Sequence, residues 1–135
     1  MQDGPERLLR IGEVAERVGL SLRTVRFWEE EGIVRATARS PGGFRLYSEA
    51  DVERLLIVKL MKPLRLTLDE MRELLGLVES AGENAEAVGR DLTAVRLSDY
   101  AERARERRRK IERDLEHVNE LLATIEALLA APVTS

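Results

Sequence analysis

Residues 11–47 hold the feature that most constrains the fold: two short helical segments, each stopped by a glycine, with a compact hairpin directly behind them. Val14, Ala15, Val18 and Leu20 supply an apolar stripe for a first helix over about 12–18, which Gly19 ends. Ser21 is placed to cap a second helix that runs to about Glu31 and stops at Gly32. In that helix Leu22, Val25 and one ring of Phe27 and Trp28 are expected to face inward, leaving Arg23, Thr24 and Arg26 outward. Val34 to Ala38 and Phe44 to Tyr47 read as short strands joined by Ser40-Pro41-Gly42-Gly43. Helix, turn, helix and hairpin in this order specify a winged helix-turn-helix.

Downstream, Ser48-Glu49-Ala50-Asp51 is an S-x-x-D cap, followed by apolar positions from Val52 to Met61, with Pro63 ending that third helix. Thr67-Leu68-Asp69-Glu70 is a capping box opening a fourth helix through about Val78. These elements make a head over residues 8–78. Residues 79–97, interrupted by Ser80, Gly82, Asn84 and Gly89, read as a linker with at most a turn or two of helix. From Ser98 a long helix is expected to about residue 131, stopped by Pro132. Its heptads align Ile111, Val118 and Ile125 on one seam position and Leu121 and Leu128 on the other, flanked by Leu115, Leu122 and Leu129. So one-sided a stripe cannot be buried against so small a head. A second copy of the same helix is the simplest cover, giving an antiparallel coiled-coil homodimer paired most strongly from Ile111 to Leu129. The fold class is therefore mainly α, with a small β-hairpin wing.

Composition excludes much else. The sequence has no cysteine, which removes disulfides, zinc–thiolate sites and thiol redox sensing. No run approaches the roughly 18 uncharged apolar residues of a membrane helix. The start lacks the basic and apolar segments of a secretory signal, so the cytoplasm is the expected location. A net charge of −3 looks unfavourable for a nucleic-acid partner. The deficit is local, however: residues 1–75 carry 13 basic and 13 acidic side chains, and residues 76–135 carry 9 and 12. A neutral head with clustered arginines is compatible with DNA binding, which depends on the potential at the docking face.

Arg23 and Thr24 open the second helix, where side chains reach base edges in a major groove. Arginine can pair with guanine bidentately, and threonine can meet a thymine methyl. Arg26 is placed to clamp a phosphate, with Phe27 and Trp28 divided between the DNA backbone and the core. In the hairpin, Gly43, Phe44, Arg45 and Tyr47 provide the wing's grip on backbone or minor groove. Lys62, just before Pro63, could add a phosphate contact, or could simply be solvated. His117 stands alone on the long helix and is a poor metal ligand by itself. The basic run Arg103 to Lys110 is interleaved with glutamates and reads as an ion-paired helix surface. No nucleophile–base pair, Gly-rich phosphate loop or convergent carboxylate–histidine set is present, so no catalytic, cofactor or metal site is expected.

The ordered set Ile11-Gly12-Glu13-Val14-Ala15, Ser21 through Glu29, Gly32-Ile33, Gly43 through Tyr47 and Leu68-Asp69-Glu70-Met71 resembles the MerR family of bacterial transcription regulators, over about residues 10–78. The terminal helix is similar to that family's antiparallel dimerisation helix. The resemblance implies a homodimer on a pseudo-palindromic, double-stranded promoter element, whose spacer is bent and untwisted so that RNA polymerase can engage. Arg26, Phe27, Arg45, Tyr47 and, by position, Lys62 match family backbone-contact positions, and Arg23 one that can reach bases. Phe27-Trp28 replaces the usual Tyr-Tyr, Arg65 stands where a glycine is common, and the cysteines of family metal sensors are missing. With the sequence stopping at Ser135, no appended ligand domain is expected. A small-molecule or protein effector would act near residues 76–104, or none exists. The alternative function is a DNA-architectural or recombination accessory protein using the same head. A third reading, a coiled-coil adaptor, predicts that Arg26→Ala and Arg45→Ala leave function intact.

Overall fold

The computed structural model describes residues 7–81 and 87–133, residues 87–90 by their backbone only. The chain divides into two units, Met1–Leu97 and Ser98–Ser135.

The first unit opens with a two-residue strand, β1 (Leu9–Arg10), that runs straight into α1 (Ile11–Val18). Gly19 closes α1 in a left-handed conformation (φ 70°), sending its N–H back to the Ala15 and Glu16 carbonyls. A Cβ there would also stand 2.9 Å from the Lys59 ammonium, which donates to the Val18 carbonyl at 2.7 Å. Glycine at 19 thus serves both the turn and the docking of Lys59. The next helix, α2 (Leu22–Glu30), starts at Ser21, whose hydroxyl accepts from the Thr24 N–H at 3.1 Å.

The wing differs from expectation. The stretch from Val34 contributes only β2 (Ala38–Arg39), which pairs with β3 (Arg45–Tyr47). Ile33 and Val34 are both buried, which two successive strand residues on a one-sided sheet cannot be. Their N–H groups instead reach the Trp28 carbonyl at 2.9 and 3.4 Å, wrapping the end of α2. The sheet gains a third member: β1 pairs antiparallel with β3 (Leu9 opposite Tyr47, Arg10 opposite Leu46), giving the order β1-β3-β2.

Then come α3 (Glu49–Met61), a 3₁₀ turn over Lys62–Leu64, and α4 (Leu68–Ala81). Both expected capping boxes form. Ser48 accepts from the Asp51 N–H (3.2 Å) while Asp51 accepts from the Ser48 N–H (2.8 Å). Thr67 and Glu70 make the same exchange at 2.8 and 3.1 Å. The core draws Leu9 from β1, Val14 and Val18 from α1, Val25 from α2, Val34, Tyr47 from β3, and Leu55 and Val58 from α3, all fully buried. Burying a side chain of this kind contributes about 1.5–3 kcal/mol. Leu22, expected inside, is instead 42% exposed at the first position of α2.

The last helix, α5 (Ala87–Ala130), begins well before the expected Ser98. Of the stretch 79–97, expected to be a linker, residues 79–81 finish α4 and 87–97 open α5; residues 82–86 lie outside the described residues. Gly89 costs a helix only about 1 kcal/mol and does not stop this one. The Arg96 guanidinium, on the opening turns, forks onto the Glu73 carboxylate of α4 at 2.7 and 3.0 Å.

In the second unit α5 continues with its apolar stripe in the open. Ile111, Leu115, Val118, Leu121, Leu122, Ile125, Leu128 and Leu129 are all exposed. The basic run is laced by Arg105–Glu102 (3.2 Å), Arg109–Glu102 (3.5 Å) and Lys110–Glu106 (3.7 Å), the ion-paired surface its interleaving predicts.

Candidate nucleic-acid interface

The face that could meet a duplex is built from α2 and the wing. Val25 turns inward and fixes the rotation of α2, so that Arg23 and Arg26 are exposed on the far side. Thr24 is half-buried, and its hydroxyl lies 2.9 Å from that of Ser21. Phe27 and Trp28 divide as expected: Trp28 packs on the core, while Phe27 stays 43% exposed. Their rings meet edge to face, with centroids 4.9 Å apart.

On the wing, Gly43 takes a φ of 84° to close the turn from Ser40, whose carbonyl accepts the Gly43 N–H at 2.9 Å. This projects Phe44 outward, 58% exposed. Arg45, beside it, sends its Nε to the Glu29 carboxylate of α2 at 2.8 Å. The other Glu29 oxygen accepts from the Ala36 N–H at 3.2 Å, so one carboxylate holds both the wing and the segment leading to it. Glu29 lies one turn beyond buried Val25. A charge at that spacing on the inward face demands a partner, the one signal in the sequence that could have revealed this hub.

Tyr47 does not belong to this face. Its side chain is fully buried, so the expected DNA contact is corrected to a core position: on the pleat of β3 it points opposite to Leu46 and into the cluster with Leu9. Burial, reinforced by the Glu29 charge, pushes its phenol up to about 12. Lys62 is exposed at the junction of α3 and the 3₁₀ turn.

What joins these parts is a cleft of about 480 Å³ between α2, the first turn of α1 and the wing. Arg10, Arg26, Arg39 and Arg45 line it with Phe44. A second hollow of similar size, lined by Arg23, Arg26, Phe27 and Glu30, continues along α2, so Arg26 belongs to both. Four arginines line one concavity, and among the described residues only Arg45 stands within ion-pair reach of an acid. Such a surface suits a row of phosphates. Arg10 and Arg39 were not expected here. Arg10 arrives through the non-local pairing of a two-residue strand, which no local pattern announces. By contrast, no group of acidic or histidine residues fit to hold a metal ion occurs among the described residues, and none of their helices is long and apolar enough to cross a membrane.

Comparison with known proteins agrees with this geometry. Residues 9–77 match the family model described as MerR HTH family regulatory protein. The chain is 35% identical over 116 residues to the mercuric resistance operon regulatory protein of Bacillus cereus, covering 84% of this chain and 79% of that protein. It is 34% identical over 110 residues to the HTH-type transcriptional regulator HmrR of Rhizobium leguminosarum bv. viciae, covering 82% and 83%. Among solved structures it resembles HiNmlR, a MerR family regulator lacking the sensor domain and bound to promoter DNA. That match has a TM-score of 0.66 at 18% identity, over 92% of this chain and 94% of that one, a likeness of fold. The family is one of transcriptional regulators rather than enzymes, and a face of converging arginines on a helix-turn-helix head is what DNA binding requires. The chain belongs to the MerR HTH family of regulatory proteins.

Proposed function

We propose that this DNA-binding transcription regulator acts as a homodimer on a pseudo-palindromic promoter element, and that it works by distorting the spacer so that RNA polymerase can engage. The observation that carries the reading is the cleft shared by α2 and the wing, where Arg26 and Arg45 stand together with Arg10 and Arg39. Arg23 and the methyl of Thr24 read base edges, Arg26, Arg45 and Lys62 grip phosphates, and Phe27, Phe44 and the Gly43 backbone lie against the sugar-phosphate chain. Trp28 supports Phe27 from the core side. Residues 8–78 form the DNA-binding head and residues 98–131 the dimerisation helix, whose exposed stripe supports pairing with a second copy. Its place of action is the cytoplasm. The sequence holds no cysteine, so a thiolate-based metal sensor is outside its chemistry, and any effector is a small molecule or protein of another class.

Genome-wide mapping of bound sites, followed by footprinting, tests the reading. Single protected sites lying in promoter spacers, with two half-sites related by a dyad, are expected. Many phased sites with no relation to promoters would instead favour an architectural protein.

A further inference from the structure

Behind the arginine-lined cleft stands an acid that simple charge balance argues against. Glu29 lies in the last turn of α2, the helix that carries Arg23 and Arg26, and its side chain is 12% exposed. A carboxylate near a row of phosphates repels them, and the repulsion reaches roughly 8–10 Å at ordinary salt. Both of its oxygens are nonetheless engaged. Among the described residues, each hydrogen bond or ion pair that joins α2 to residues 36–47 ends on this carboxylate: the Ala36 N–H at one oxygen and the Arg45 Nε at the other. The buried Tyr47 hydroxyl lies beside it without an aligned bond, so Arg45 alone supplies the opposite charge. A charge so far removed from water holds on to its counter-ion. Arg45 is therefore fixed by its inner edge, and its terminal nitrogens are left for the cleft that it lines.

We infer that Glu29 is a positioning residue for DNA binding that acts through Arg45. It holds the wing at one setting against α2, and its net effect on affinity is favourable in spite of its charge. An arginine side chain carries much rotamer freedom, and an Arg45 already ordered on Glu29 meets a phosphate without that loss. The Ala36 contact extends the same anchoring to the chain entering β2, so one carboxylate holds the wing at both of its strands. The arginines of the cleft cannot do this for one another, since like charges lining one concavity repel. This inference rests on the reading of the head as DNA-binding.

The test uses the full chain and a labelled duplex of mixed sequence about three helical turns long, since phosphate contacts are independent of sequence. Charge alone predicts that Glu29→Gln binds more tightly than the wild type, and positioning predicts the opposite. Glu29→Gln is expected to bind about tenfold more weakly at a temperature where circular dichroism shows both proteins folded. In an Arg45→Ala background the same change is expected to cost less than about twofold, because the group through which Glu29 acts is gone. Glu29→Asp keeps the charge and shortens its reach. Charge alone predicts no change for it, whereas a loss of about threefold or more is expected. Should Glu29→Gln fail to fold, Glu29→Asp carries the comparison in both backgrounds. Binding of either variant at or above wild-type affinity overturns the proposal, as does an equal loss with and without Arg45, the mark of a purely structural role. If the wild-type chain binds the duplex at no salt concentration, the DNA-binding reading itself falls.

Discussion

At the scale of single residues, Tyr47 and Arg45 show how two neighbours on one strand come to different ends. The pleat sends Tyr47 into the core, where its hydroxyl has no aligned hydrogen-bond partner. Tyr47→Phe removes a buried hydroxyl that lies poorly aligned beside the Glu29 carboxylate, and stability is expected to change by about 1 kcal/mol or less. DNA affinity is expected to stay at the wild-type value. A clear loss of affinity at unchanged stability would show that the hydroxyl reaches the duplex after all. Arg45 has two tasks: its Nε is held by Glu29, and its terminal nitrogens remain for phosphate. Lysine keeps the charge and loses the fork. Arg45→Lys should thus retain the salt slope while weakening binding to all sequences, whereas Arg45→Ala should also lower the slope by about 1. Equal slopes for the two variants would separate Arg45 from the phosphate row.

At the scale of elements, two junctions decide how the head is held. Arg65 closes the 3₁₀ turn after α3 in the left-handed region (φ 54°), at a cost that a glycine avoids. Arg65→Gly is expected to raise unfolding stability by about 0.5–1 kcal/mol in denaturant titrations, and a destabilised variant would mean that the side chain makes a compensating contact. Across the α1–α3 junction, Arg17 forks onto Glu49 at 2.7 and 2.8 Å, and this partner holds the Glu49 carboxyl below its ordinary 4.5. The sign follows from linkage: a carboxylate depressed by folding stabilises above its unfolded value, and that stability disappears as pH falls through the folded value. The stability difference between wild type and Glu49→Gln should be constant near neutrality and close below pH 4.5. A difference that persists into stronger acid would rule out the pair as its source. Helix limits and both capping boxes were legible because caps and glycine stops act within four residues. What escaped was non-local: β1 exists only because Leu9 and Arg10 meet β3, and that pairing delivers Arg10 to the cleft. The early start of α5 escaped for a related reason, since the Arg96–Glu73 fork bridges residues far apart in sequence.

At the scale of the whole molecule, the balance of charge and apolar surface explains why a chain with net charge −3 can bind DNA. Residues 76–135 carry the acidic excess, while the arginines of the cleft all lie in residues 1–75, whose basic and acidic side chains balance, so the excess falls outside the segment that forms the cleft. The apolar stripe on α5 sets the remaining requirement. Leu121 is 61% exposed in the single chain, in the middle of a run from Ile111 to Leu128. Burying each such side chain against a partner helix contributes on the order of 1–2 kcal/mol, and an aspartate there would face desolvation without a counter-charge. Leu121→Asp is expected to leave the helical circular-dichroism signal of the head intact and to shift sedimentation from dimer to monomer. With one head per particle, the gain from linking two half-sites disappears, and affinity for a two-half-site promoter should fall by about a hundredfold or more, toward that of a single half-site. An intact dimer would move the seam elsewhere on the helix. A monomer that kept full promoter affinity would show that the two-fold arrangement contributes nothing to recognition.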